Sequence, residues 1–356
     1  MPVTISEDIT GVASVNSGAI GGRRNIVYNG EMNVAQRSAS EAGLGAAAGY
    51  FTLDRYRISP TATAGRLTMA QVADGPAGFA NCLKFTTTTA DTSIAATEKL
   101  FLQQKFEGQD LQQLQKGTAT AKQFTVSFYV KGNAAAIYSV EIKDTDNNRS
   151  NTQSFAVTTA WNRIELTFAG DTTGVLDDDN LNSLNINIWL HGGSNFTSGT
   201  YASNTWASTT DANRYAVADR TSIFDATSRT FFITGVQMEV GATATDFESR
   251  TFGTELALCQ RYYSLNVAGS GVSTSTTTMA APVTPVLSMR AAPTVTLING
   301  TNKAGQFGVA FRNITGSVAF EGATVNGGNF TGTISTTTAG VGHMYYGGAF
   351  SLSAEL

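Results

Sequence analysis

The stretch Phe124-Thr-Val-Ser-Phe-Tyr-Val-Lys131 decides the fold. Phe124, Val126, Phe128 and Val130 alternate with Thr125, Ser127, Tyr129 and Lys131. That period of two marks a strand with one face in a core and one toward solvent. Working outward, the same period returns in Trp161-Asn-Arg-Ile-Glu-Leu-Thr-Phe168, through Ile164, Leu166 and Phe168. It returns again in Leu184-Asn-Ile-Asn-Ile-Trp-Leu-His191, with Leu184, Ile186, Ile188 and Leu190 on one face. A further strand runs over 231–240 past Gly235, and shorter ones are expected at 26–28, 56–58, 66–72, 83–87 and 137–143. About ten short strands parted by Gly, Asn and Asp turns predict an all-β, two-sheet sandwich. One helical turn is expected at Asp110-Leu-Gln-Gln-Leu114, with Asp110 capping and Leu111 and Leu114 on one face.

Composition agrees with this pattern. The chain has 356 residues, 42% of them apolar, which is enough for a substantial core. Only 14% are charged, against roughly 25% in an average soluble domain. Thr fills about one position in seven and Gly fills 36 in all, a balance that favours strands and turns. The formal net charge of −4 argues against nucleic acid, whose phosphates need a basic surface. Two Cys, Cys82 and Cys259, show no metal or redox spacing. They read as two buried free thiols or as a single pair. The first twenty residues lack a basic segment followed by an apolar core, so no secretory leader is expected. No run of about 18 apolar residues occurs, so no membrane insertion is expected.

Four segments follow along the chain. Residues 1–24 are small, polar and glycine-broken, and read as an arm, either a loose terminus or a peg that orders on a partner. Residues 25–250 form the sandwich. Residues 251–266 form a short connecting helix, with Thr254 as its cap, Glu255 at its positive end, and Leu256, Cys259 and Tyr263 on a buried stripe with Tyr262 beside it. Residues 267–356 form a smaller C-terminal β domain, expected as one small sandwich, whose apolar edges an oligomer would cover.

Several blocks resemble a family of bacteriophage virion proteins. Asn25-Ile-Val-Tyr-Asn-Gly-Glu-Met-Asn-Val-Ala-Gln-Arg37 is similar to the family's opening strand. Tyr50-Phe-Thr-Leu-Asp-Arg-Tyr56 is similar to its next motif, with Tyr56 where Trp is commoner. Gln104-Lys-Phe-Glu-Gly-Gln-Asp-Leu-Gln-Gln-Leu114 and Ala121-Lys-Gln-Phe-Thr-Val-Ser-Phe-Tyr-Val-Lys131 form the third block, where Tyr129 replaces a usual Trp. Thr234-Gly-Val-Gln-Met-Glu-Val-Gly241, Ala244-Thr-Asp-Phe-Glu248 and Glu255-Leu-Ala-Leu-Cys-Gln-Arg-Tyr-Tyr263 form the fourth. The tail blocks Val286-Leu-Ser-Met-Arg-Ala-Ala-Pro-Thr-Val295 and Ser353-Ala-Glu-Leu356 resemble the same family. The ordered set is specific where no single block would be.

This resemblance implies a tail-fibre or tail-appendage protein of marine phage or cyanophage type. It implies a jelly-roll domain like those of carbohydrate-binding modules, and a part in host-surface glycan attachment. It further implies a homotrimer, docked to other virion proteins through the arm, located in the phage particle after assembly in the host cytoplasm. A capsid decoration or head-fibre protein is the alternative, and a polysaccharide depolymerase a more distant one. The family carries no established catalytic set, so no catalytic residue is transferred and no enzyme is expected.

Flat apolar rings with polar neighbours suit sugar faces. If the strand at 184–191 buries its aliphatic face, Trp189 and His191 point outward. Tyr201 and Trp206 lie in the long irregular stretch 192–218, and long loops are often functional. These four are the expected glycan contacts; the same residues would suit a covered sheet face or a subunit interface. Asp177, Asp178 and Asp179 resemble a calcium-binding turn, as does Asp144-Thr-Asp-Asn-Asn148, and either could equally be solvated. No other cofactor is expected. Glu165, Asp171 and Asp177 are carboxylates a glycosidase could use, but any acidic chain offers such pairs. His191 and His343 lack a nucleophile-elbow motif. Gln237 and Glu239 should share one strand face and hold strand or subunit contacts. The cluster His343-Met-Tyr-Tyr346 fits either a small core or an exposed tip.

Overall fold

The structure is a computed structural model. It describes residues 14–15, 18–19, 24–267, 270–273, 275, 277–297, 303–306, 312–334, 342–346 and 350–356. The chain divides into two compact units, Met1–Arg250 and Thr251–Leu356. Among the described residues, no helix is long and apolar enough to cross a membrane.

Within the first unit, the two-residue strands β1 (Ser14–Val15) and β2 (Gly18–Ala19) pair with one another. The rest of the expected arm up to residue 23 lies outside the described residues. The sandwich follows as β3 (Ser40–Leu44), β4 (Gly49–Tyr50), β5 (Arg57–Thr61), β6 (Arg66–Val72), β7 (Cys82–Thr89) and β8 (Lys99–Glu107). It continues with β9 (Phe124–Gly132), β10 (Ala136–Asp144), β11 (Arg149–Val157), β12 (Asn162–Phe168) and β13 (Asn182–Gly192). A four-residue helix α1 (Ser194–Thr197), then β14 (Ala207–Ser208) and β15 (Thr230–Val240), complete it.

A seven-stranded sheet has the order β14-β11-β10-β13-β8-β5-β4, and a six-stranded sheet the order β12-β9-β15-β7-β6-β3. The named strands of both sheets pair antiparallel. This is the expected jelly-roll sandwich. Residues 26–28, expected as a strand, instead run beside β15 with the single ladder-like bond from Ile26 N–H to the Met238 carbonyl, 2.9 Å.

The apolar face of β9 lies in the core as its period predicts, but the other face is not open to solvent throughout: Thr125 and Ser127 are buried, and Tyr129 and Lys131 are half-buried. Val126, Phe128 and Val130 are buried against the other sheet. Phe128 meets Phe155 of β11 edge to face at 5.1 Å, and Phe231 of β15 meets Tyr138 of β10 at 5.6 Å. Each such ring contributes about 1.5–3 kcal/mol by burial. Gly235 breaks the β15–β9 register between Thr234 and Gln237. It adopts φ +62°, with the rings of Phe79 and Tyr129 within 3 Å of where a Cβ would stand. A side chain there would strain the backbone and collide with both rings, so the bulge needs glycine.

Two separate 3-10 turns, Gly108–Asp110 and Gln112–Leu114, replace the single turn expected near 110–114. Cys82 and Cys259 are both buried thiols, not joined in a disulfide.

The second unit opens with α2 (Phe252–Gln260). Its cap is Thr251, whose side chain accepts from the Thr254 N–H, so Thr254 sits inside the helix. Glu255 and Cys259 face inward, Tyr262 is buried just after the helix, and Tyr263 begins β16 (Tyr263–Val267). Then come β17 (Ser270–Ser273), β18 (Thr278–Val283), β19 (Thr294–Leu297), β20 (Lys303–Gln306), β21 (Arg312–Thr324), β22 (Gly327–Ile334), β23 (Gly342–Tyr346) and β24 (Phe350–Ser353). These form a three-stranded sheet, β16-β24-β19, and a closed barrel, β17-β18-β22-β21-β20-β23. The small sandwich expected here is therefore a barrel plus a sheet. Closure removes edge strands, which a unit with a modest core cannot otherwise protect. The strand expected at 307–311 lies outside the described residues. His343 to Tyr346 lie on β23, and their side chains fall outside the described residues too.

Candidate functional site

Strand β13 is the centre of the seven-stranded sheet, and both of its faces are buried. Leu184, Ile186, Ile188 and Leu190 face the sandwich core as expected. The other face was expected to be open, and it is not. Trp189 and His191 are each 0% exposed. The chain leaves β13 at Gly192, crosses back over this face through α1 and a 3-10 turn at Asp211–Asn213, and returns at 221–224. That roof is what the alternation of β13 alone does not reveal.

The roof is fastened by side chains of β13 and its neighbours. Trp189 stacks on Tyr215 at 5.7 Å and touches Phe101 and Phe196. Its indole N–H donates to Glu141 Oε2 at 2.9 Å. Arg214 binds both Glu141 oxygens, at 2.7 and 2.9 Å, and its guanidinium lies 5.0 Å from the Trp189 ring centre. Asn187 donates to Glu141, Gln103 donates to Asn187, and Arg57 donates to Gln103. One hydrogen-bonded row thus spans β10, β13, β8 and β5. Burial pushes the Glu141 carboxyl upward. The charge of Arg214 and the hydrogen bonds from Arg214, Asn187 and Trp189 outweigh burial, so Glu141 sits below the usual carboxylate range.

His191 fastens the far end. Its Nδ1 meets Ser222 Oγ at 2.8 Å and its Nε2 meets Glu98 Oε2 at 3.1 Å. Burial lowers its pKa against the pull of Glu98 and Asp91. The backbone follows the same path: Ile223 N–H bonds the Leu190 carbonyl and Asp91 N–H bonds the Phe224 carbonyl. Asp91 Oδ2 accepts from the Thr63 hydroxyl and from the N–H groups of Ala64 and Gly65. Asp91, Glu98 and His191 are the one group of three or more metal-capable side chains among the described residues, with donor atoms all within 4.8 Å of one another.

Against this anchored roof lies an open cleft of about 420 Å³. Ser194, Thr197, Asp219, Arg220, Thr221 and Ser222 line it with hydroxyls and charges, and Ile94, 41% exposed, forms an apolar lip. Gly192 and Gly193 give it a backbone wall. A Cβ on Gly193 would stand 1.9 Å from the Ala95 carbonyl oxygen, so the two wall segments close only on glycine. The hydroxyls, the carboxylate of Asp219 and the guanidinium of Arg220 offer donors and acceptors to a polyhydroxylated ligand. Nothing in the sequence marks Asp219, Arg220 or Ser222, because each is an ordinary loop residue. The length and irregularity of 192–218 were the available signal.

The four expected contacts do not form one patch. Trp189 and His191 belong to the buried floor. Tyr201 is half-buried, and its hydroxyl accepts from the Ser154 N–H at 2.8 Å. Trp206 packs on the rim of the core, donates to the Ala169 carbonyl at 2.7 Å, and carries Lys116 over its ring at 5.4 Å. Asp177 and Asp178 are exposed, and Asp179 is half-buried. Asp179 Oδ1 accepts from the Leu181 N–H, and Asp177 N–H donates to Asp146. In the second expected turn, Asp144 pairs with Lys116 at 2.5 Å.

Glu165 pairs with Arg163 at 3.1 Å, and Asp171 is held by Lys116 and Arg149. Gln237 and Glu239 are buried and hydrogen-bonded to each other at 2.8 Å, closing the turn at 245. A second aromatic surface lies on the outer face of the six-stranded sheet. There Trp161 meets Phe232, and Lys131 sits 5.0 and 4.9 Å from the two ring centres.

No protein-family model matches the sequence, and no curated protein matches it. Among solved structures, the chain is similar to a family 11 carbohydrate-binding module from Clostridium thermocellum, in complex with a beta-1,3-1,4-mixed-linked tetrasaccharide. That likeness has 13% identity and TM-score 0.30, over 58% of this chain and 98% of that one. It is also similar to TmCBM61 in complex with beta-1,4-galactotriose, at 11% identity and TM-score 0.32, over 61% and 99%. A third is the enzymatically active domain of bacteriophage CBA120 tailspike protein 4, at 12% identity and TM-score 0.31, over 61% of this chain and 21% of that one. Likeness of this size assigns no ligand and no residue role to this chain.

Proposed function

We propose that this protein is a non-enzymatic, glycan-binding component of a phage particle, with the cleft beside the roof of β13 as its sugar site. The carrying observation is the cleft itself. About 420 Å³ of open space is ringed by Asp219, Arg220 and five hydroxyl-bearing side chains. Its volume falls in the range of about 300–1,000 Å³ typical of ligand sites. The anchored roof supplies rigidity, which lowers the entropy cost of binding. The virion setting draws its support from the ordered sequence blocks between Asn25 and Tyr263. On that reading the arm docks to neighbouring virion proteins and the chain assembles as a trimer. A tail appendage gains its hold on a cell from many weak sites multiplied by copy number.

The test is affinity electrophoresis of the full chain through gels containing host envelope polysaccharide, beside the variants Asp219→Ala and Arg220→Ala. The wild type should be retarded, and each variant should lose about tenfold or more in affinity, or roughly 1.4 kcal/mol. Unretarded wild-type chain, or steady release of reducing ends from the polysaccharide, contradicts the proposal. Immunogold labelling of whole particles then places the protein on tail or capsid.

A further inference from the structure

Asp91, Glu98 and His191 bring two carboxylates and an imidazole together at the end of β13. They are 6%, 5% and 0% exposed. Among the described residues, no lysine or arginine pairs with either carboxylate. Asp91 is served by Thr63, Ala64 and Gly65, and the side chain of Glu98 meets His191 and Asp91. Elsewhere in this unit Glu141 has Arg214, Asp144 has Lys116, and Asp171 has Lys116 and Arg149, while the equally buried Glu239 has no such cation among the described residues and is met by Gln237 and Thr245. Two adjacent buried carboxylates with no lysine or arginine beside them are costly to ionise together, and a divalent cation balances both charges at once.

We propose that Asp91, Glu98 and His191 bind one divalent first-row transition-metal ion, zinc in particular. The imidazole selects against calcium and magnesium, which take oxygen ligands. The distances suit a small ion. Ligand atoms at about 2.1 Å from one centre stand roughly 3–4 Å apart. The His191 Nε2 to Glu98 Oε2 separation is 3.1 Å, and the whole set lies within 4.8 Å. Modest side-chain turns close it.

The surrounding groups orient the ligands as metal sites require. Ser222 Oγ holds the other imidazole nitrogen and itself accepts from the Phe224 N–H at 3.0 Å. Three donors fix the Asp91 carboxylate. Three protein ligands leave a fourth position for water. The ion would join residues on the β7–β8 connection to the end of β13, and through Ser222 to the wall of the cleft. Its role is a staple that ties loop to sheet, and the glycan reading neither requires nor supplies it.

The full chain, stripped by chelator, is dialysed separately against zinc, manganese and calcium, desalted and assayed for metal. The expected result is about one zinc per chain and a raised melting temperature. X-ray absorption at the zinc edge should show one imidazole with oxygen ligands. Asp91→Asn and Glu98→Gln, each judged folded by native tryptophan emission, should retain under about a tenth of an equivalent. The spectrum needs no variant, so misfolding of either one leaves the test intact. Wild-type chain that keeps no zinc, keeps calcium in its place, or binds zinc through sulfur or several imidazoles overturns the proposal. So does full retention by the folded variants.

Discussion

Arg214 grips both carboxylate oxygens of Glu141, at 2.7 and 2.9 Å, directly above the buried ring of Trp189. This pair joins a loop residue to a central strand. It is what turns a long, irregular segment into a fixed roof. Glu141 is fully buried and Arg214 nearly so, so solvent does little to screen the pair.

Removing one partner leaves the other charge stranded. Arg214→Ala should lower the stability of the first unit by about 3–5 kcal/mol. All three tryptophans, Trp161, Trp189 and Trp206, lie in that unit, so urea unfolding followed by tryptophan emission reports on it alone. A shift below about 1 kcal/mol, the size of an exposed pair, would show that the roof is not held this way.

The same pair predicts an acid limb. The folded carboxyl of Glu141 lies below its ordinary value of 4.5. As pH falls through that value the unfolded chain takes up a proton first. The stabilisation is therefore complete above about pH 4.5 and drains away below it, toward the folded pKa. Urea midpoints should fall on acidification in that window, and Glu141→Gln should flatten the dependence. A wild-type midpoint that holds steady or rises there would contradict it.

Cys82 should be chemically quiet. Burial, aided by the charge of Asp74, raises its thiol to about 11, and the thiolate is the reactive form. At pH 8 Ellman's reagent should leave Cys82 unmodified in the folded chain and titrate two thiols after unfolding. Fast labelling of native Cys82, located by peptide mapping, would show the site to be open.

Gly193→Ala should loosen the cleft wall. Its Cβ would meet the Ala95 carbonyl at 1.9 Å, and overpacking of this kind costs about 1–3 kcal/mol. Glycan affinity should drop with it. Unchanged stability and unchanged affinity together would mean that the wall yields freely.

The sandwich was legible because β9, β12 and β13 repeat an apolar side chain at every second residue, and that period reflects burial of one face. Thr-rich β7 keeps the same alternation through Leu83, Phe85 and Thr87, whereas the bulge at Gly235 interrupts it between Ile233 and Val236. The cover on the outward face of β13 is not legible in the sequence for a tertiary reason: it comes from residues 193–224, and no local period in 184–191 records a distant roof. The barrel of the second unit is not legible in the sequence because short strands read alike whether a sheet closes or stacks. The cleft was half visible. The long segment after β13 signalled it, but Asp219, Arg220 and Ser222 gain meaning only once the chain turns back. Asp91, Glu98 and His191 were invisible as a set, since loop and strand meet only through the β8–β13 pairing.

The most direct measurement is hydrogen–deuterium exchange of the full chain with and without soluble fragments of the host envelope polysaccharide. Saturating glycan should slow exchange in peptides covering 192–197 and 219–223, with the outer face around Trp161 and Phe232 unchanged. Protection confined to that outer face, or no protection under conditions where the fragments bind, would contradict the assignment of the cleft as the glycan site.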